Sequence, residues 1–156
     1  NFGFNLSRRS ETAGTNAKMS ELHAAVGLAM LDSFDQRRRD YADTVAQWAE
    51  VTAGLPGQMH LPAKLASVYV VWETPTAQIM DQAIDTLTKA NVDSRRWYEA
   101  GLHLQPHFLR LSGPELQTFS LPVTQDLGNR LLGLPMAHDL TRDQMQRTVD
   151  LVMQVL

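Results

Sequence analysis

Val68-Tyr69-Val70-Val71-Trp72 is an unbroken run of β-branched and aromatic residues, and Thr74-Pro75 follows it after Glu73. Such side chains suit a pleated, half-buried surface, so the run reads as a strand. Thr74-Pro75 reads as a helix cap followed by proline at the first helical position, where a missing N–H costs nothing. Met80, Ala83, Ile84 and Leu87 then recur at helical spacing, and Asn91 can end that helix. Val92 to Tyr98 reads as a second strand. A strand–helix–strand unit therefore occupies the middle of the chain, and the flanking segments must pack around it.

Upstream, residues 1–19 are polar, rich in small residues and without sustained period, as a loop would be. Asn16 or Ser20 can cap the helix that follows. From Glu21 to Phe34, Leu22, Ala25, Val26 and Ala29 form one apolar face. Leu28 and Leu31 fall outside it, which predicts a helix buried on most sides. Asp35 to Asp40 reads as a polar break. Tyr41, Val45, Trp48, Thr52 and Leu55 recur at helical spacing, and Gly54, Pro56 and Gly57 end that segment. The Gly/Pro cluster is the expected domain boundary, dividing residues 1–57 from 58–156.

Downstream, residues 99–120 lack periodicity and read as a long loop, a kind of segment that often carries function. Pro122 starts a further helix, with Val123, Leu127 and Leu131 expected inward. Leu134-Pro135-Met136 reads as a short edge strand, where proline is tolerated. Thr141-Arg142-Asp143-Gln144 fits a capping box, and Met145, Val149, Val152 and Leu156 follow at helical spacing. The predicted class is α+β: two N-terminal helices, then a small sheet covered by helices.

Composition narrows function mainly by exclusion. The chain has no cysteine, which removes disulfides, thiol catalysis and Cys-ligated metal sites from these 156 residues. A net charge of -3 gives no support to nucleic-acid binding. Arg37-Arg38-Arg39 does not alter this, because consecutive helical residues point in different directions and Asp35 and Asp40 flank them. The apolar stretch Leu22–Leu31 is too short to span a bilayer. His103 and His107 have the spacing of a helical metal pair, but Pro106 argues against a regular helix there and no acidic residue completes the set. No metal is expected.

The segment Gly14-Thr15-Asn16-Ala17-Lys18-Met19-Ser20-Glu21-Leu22-His23-Ala24-Ala25-Val26-Gly27-Leu28 resembles a G-x-N-x-(R/K)-M-S-E-(hydrophobic)-x-A-A-(hydrophobic)-G-L pattern. Asn1-Phe2-Gly3-Phe4, Leu121-Pro122-Val123 and Leu134-Pro135-Met136 with the helix after Thr141 add to it. Arg95-Arg96-Trp97-Tyr98 and Leu102-His103 fit an R-x-x-Y…L-H stretch more loosely. Together these resemble the DegT/DnrJ/EryC1/StrS family of sugar aminotransferases over nearly the whole chain. Met30 stands where glutamine is frequent in the family, Thr15 where an aromatic is, and Lys18 where arginine is, which leaves the sugar open.

The resemblance implies the C-terminal part of a fold-type-I enzyme using pyridoxal phosphate (PLP). Such an enzyme moves an amino group, usually from glutamate, to a nucleotide-linked keto-sugar, and works as a cytoplasmic homodimer. It also implies that the PLP-bearing lysine and its acidic partner lie before Asn1, so that this piece alone is inactive. Lys64 and Lys89 do not stand in the lysine motif. Asn16 is implied to reach the PLP phosphate of the other subunit, with Lys18 adding positive charge; from the residues alone, Asn16 reads as the cap of its own helix. Arg95, Arg96, Tyr98 and His103 are implied to border the substrate, where an arginine can bind a carboxylate or diphosphate through two hydrogen bonds. Trp48, Trp72 and Trp97 read as core or interface residues. The alternative is a stand-alone dimerisation or partner-binding module without catalysis.

Overall fold

The computed structural model describes residues 12–15, 17–62, 67–97, 99, 101–111 and 120–156. The expected roles of Asn16 and Tyr98 fall outside these residues. The chain separates into two compact units, Asn1–Gln36 and Arg37–Leu156.

In the first unit, helix α1 spans Glu21–Asp32, and Ser20 is its cap, accepting a hydrogen bond from the His23 amide. No residue of α1 is buried. Leu22 is 73% exposed and Leu28 65%, contrary to the burial expected from the apolar pattern. Apolar residues around most of a helix require cover on most sides, and the described residues do not supply it.

Helix α2 spans Phe34–Val51, so the predicted break at residues 35–40 is helical. Its arginines and aspartates are compatible with a solvated helix start, and the apolar period after Tyr41 continues the same element. The remaining elements are β1 (Gln58–His60), β2 (Tyr69–Glu73), α3 (Ala77–Lys89), β3 (Arg95–Arg96), a 3-10 turn (Leu102–Leu104), α4 (Pro106–Leu111), α5 (Pro122–Gly128), β4 (Leu131–Pro135) and α6 (Arg142–Met153). The strands form one antiparallel sheet in the order β1-β2-β4-β3.

The core gathers on one face of that sheet. Val70 and Trp72 of β2 and Leu132 and Leu134 of β4 are fully buried. They pack with Trp48 of α2, Met80, Ala83 and Leu87 of α3, and Met145, Val149 and Val152 of α6. Removing side chains of this size from water is the main favourable term, at roughly 1.5–3 kcal/mol each. The Trp72 indole N–H is satisfied by the Pro56 carbonyl at 2.8 Å. That contact needs the chain to turn tightly at Gly57, whose φ of +96° and closeness to the Glu73 carbonyl leave no room for a side chain.

Several expectations are corrected. Thr74 is not the cap of α3: its hydroxyl is buried and donates to the Thr76 carbonyl, and Thr76 accepts from the Ile79 amide instead. The second strand shrinks to Arg95–Arg96. Residues 101–111 hold a 3-10 turn and α4, with Pro106 at the first helical position, where its missing N–H is tolerated. Val123 is 70% exposed and Leu131 belongs to β4, so neither faces inward from α5. The strand at Leu134 is interior, not an edge: Pro135 sits at its last position, opposite Tyr69, and Leu131–Leu134 pair with Val70–Glu73. Leu156 is exposed because α6 stops at Met153.

Candidate functional site

Alternation along β2 puts Tyr69, Val71 and Glu73 on the sheet face opposite the core, where they are half-buried. Arg95 of β3 and Val71 of β2 both pair with Gly133 of β4, so Gly133 forms the floor between them. The Arg95 guanidinium lies 6.0 Å from the centre of the Tyr69 ring and 5.5 Å from that of Trp97. The two rings meet edge to face at 5.6 Å and 83°. These separations suit cation–π attraction, and each ring restricts a side chain that otherwise has many rotamers. No ion pair among the described residues involves Arg95. Its N–H groups are therefore available to an anion, which a guanidinium can bind in two-point fashion.

Arg96 points the other way, as the next residue on a strand must. It pairs with Leu132 in the sheet and forms an ion pair with Asp81 of α3. The structure therefore separates the two arginines that the sequence offered together. His103 lies in the 3-10 turn and His107 in α4, so they do not share a helix. The His103 ring sits beside Gly101, where a Cβ would meet that ring and the Thr124 methyl of α5. Lys18 is exposed and stands two residues before the Ser20 cap in the first unit. Among the described residues no group of acidic and histidine side chains is placed to hold a metal ion.

The open face continues into a charged network. Arg130 donates to Glu73 at 2.8 Å and to Asp126 of α5 at 2.5 Å, and also to the Thr74 carbonyl. Glu73 further meets His60 Nε2 of β1 at 3.0 Å. The His60 hydrogen bond, followed by that of Arg130, holds the Glu73 carboxyl below its usual range. Arg130 likewise lowers Asp126, and its own guanidinium is held charged by the two carboxylates. This network joins β1, β2 and α5.

Three members of the Arg95 cluster, Tyr69, Trp97 and Gly133, escaped the sequence reading as site residues, in which Trp97 reads as a core or interface residue. Tyr69 was hidden in an apolar strand, though alternation with the core residues Val70 and Trp72 marks its side. Gly133 carries no signal until β4 is known to lie between β2 and β3.

The pattern of the DegT/DnrJ/EryC1/StrS aminotransferase family extends over residues 1–153. The chain belongs to this family. The dTDP-3-amino-3,4,6-trideoxy-alpha-D-glucose transaminase of Streptomyces venezuelae is 32% identical over 97% of the chain. The dTDP-4-amino-4,6-dideoxy-D-glucose transaminase of Escherichia coli is 24% identical over 92%. The chain spans only 40% of the length of each of these two relatives. Among solved structures, DesI in the presence of its TDP-sugar product is 31% identical with a TM-score of 0.76, over 99% of this chain and 40% of its own. PseC of Helicobacter pylori, an aminotransferase of pseudaminic acid biosynthesis, shares the fold at a TM-score of 0.77 and 14% identity, over 96% of this chain and 41% of its own. The α+β class with a small antiparallel sheet is thus that of the C-terminal part of these aminotransferases. Among the described residues no helix is long and apolar enough to cross a membrane.

Proposed function

We propose that this chain is the C-terminal part of a PLP-dependent aminotransferase acting on a nucleotide-linked keto-sugar, with an amino donor such as glutamate. In this reading the complete enzyme is a cytoplasmic homodimer, and residues 58–156 form its small domain. The PLP-bearing lysine belongs to the portion of the enzyme before Asn1, so the isolated chain is inactive. Support comes from the dTDP-sugar transaminases among its relatives.

The cofactor's phosphate suits the segment before α1. Lys18 offers an exposed ammonium, and the first turn of α1 offers backbone N–H groups. Asn16 would add an amide donor to the same phosphate. When bound, PLP supplies the electron sink for amino transfer. This chain's own part is to hold anions: the phosphate near Lys18, and the substrate's diphosphate or carboxylate at Arg95. Tyr98 and His103 would border the same substrate, and Arg96 would support the domain through Asp81.

The observation that carries the substrate reading is Arg95, held by two aromatic rings on the open sheet face with no carboxylate partner among the described residues. Arg95→Ala in the complete enzyme should raise KM for the nucleotide-sugar by roughly tenfold to a hundredfold, as loss of a charged hydrogen-bond pair does. Arg95→Lys should recover only part of it, since an ammonium lacks the two-point fork. Steady-state kinetics with a dTDP-keto-sugar decides the matter; an unchanged KM would remove Arg95 from the substrate site.

A further inference from the structure

Gly133 occupies the interior of a central strand, where glycine weakens the strand and contributes no side chain to packing. Its backbone does not demand glycine, because positive φ among the described glycines is confined to Gly57 and Gly101. What it provides is space. A Cβ at this position would stand 3.2 Å from Tyr69 Cδ1 and 3.3 Å from Arg95 Cβ, closer than side chains ordinarily pack. The Tyr69 ring can therefore lie across the sheet surface and reach both Arg95 and Trp97. Arg95 itself stands on a two-residue edge strand with an exposed side chain, so its local backbone does little to orient it.

We propose that Tyr69 and Gly133 are positioning residues for Arg95: the side-chain-free floor at Gly133 seats the Tyr69 ring, and that ring with Trp97 presents the guanidinium to an anionic phosphoryl group. This rests on the reading of Arg95 as a substrate contact. Ordering the guanidinium in advance removes rotamer entropy that binding would otherwise have to overcome.

The test uses the complete enzyme and dTDP as the probe, titrated by calorimetry, with thermal midpoints recorded for every variant. Tyr69→Leu and Gly133→Ala should each weaken dTDP binding about three- to tenfold, the range expected for losing a cation–π contact. Tyr69→Phe, which keeps the ring, should bind as the native protein does. In an Arg95→Ala background, Tyr69→Leu should cost nothing further, because its effect passes through the arginine. Native-like binding by Tyr69→Leu while Arg95→Ala loses affinity overturns the positioning role and leaves Arg95 as a contact. A full Tyr69→Leu loss in the Arg95→Ala background also overturns it. Native-like binding by Arg95→Ala instead removes the substrate reading itself. Should Gly133→Ala fail to fold, the Tyr69 series decides alone.

Discussion

Glu73 shows how much one side chain on the open face has to hold together. It is 19% exposed and accepts from both His60 and Arg130, linking β1 and β2 to the residue that anchors α5. Because its folded-state pKa is depressed, first by the His60 bond and then by Arg130, its ionised form favours the folded state. That contribution is complete above the unfolded carboxylate value of 4.5 and disappears as pH falls through the lower folded value. Glu73→Gln should therefore cost about 1–3 kcal/mol near neutral pH. The difference from the native chain should narrow steadily as pH drops below that value. Denaturant midpoints measured from pH 7 to pH 3 check the sign; a gap that widens below pH 4.5 would contradict it. Arg95 and Arg96 make the complementary point, since strand alternation sends one to an open face and the other to Asp81.

Among the elements, α6 is the one whose sequence signals agree most fully. The Thr141 hydroxyl accepts from the Gln144 amide, and the Gln144 side chain accepts from the Thr141 amide, completing the capping box. Met145, Val149 and Val152 then bury the expected stripe. Thr141→Ala should lower stability by about 1 kcal/mol, read as a shift in denaturant midpoint with unchanged slope. A change below a few tenths would mean that packing alone holds the first turn. The start of α3 failed as a prediction for a physical reason: Thr74 has the same hydroxyl as Thr76, but β4 lies beside it. Its amide and hydroxyl are engaged by the Arg130 carbonyl, so the cap moves two residues along.

For the whole molecule, α1 matters most. Leu22, Val26, Leu28 and Leu31 are all more than half exposed, although the pattern is that of a buried helix. Against a relative's length the chain spans 40%, and the expectation for the proposed enzyme is that its remaining length covers this helix. Leu28→Glu in the complete enzyme should then destabilise by about 2–4 kcal/mol, as an unpaired charge in an apolar interface does. A surface position would shift by less than about 0.5 kcal/mol. Thermal or chemical unfolding of the complete enzyme separates the two outcomes.

What the sequence by itself determined is what depends on neighbours along the chain. The strand at Val70 and Trp72, the stripe Met80–Ala83–Leu87, the box at Thr141 and the family pattern from Gly14 to Leu28 are all local, so spacing suffices to read them. Only the tertiary structure decided that β4 is an interior strand, that Gly133 floors the space between Tyr69 and Arg95, and that Arg130 ties Glu73 to Asp126. Strand order and register join residues far apart in sequence through backbone hydrogen bonds, for which every residue has the carbonyl acceptor and only proline lacks the N–H donor. Composition therefore carries little record of them, and the candidate anion site became visible only when three strands were laid side by side.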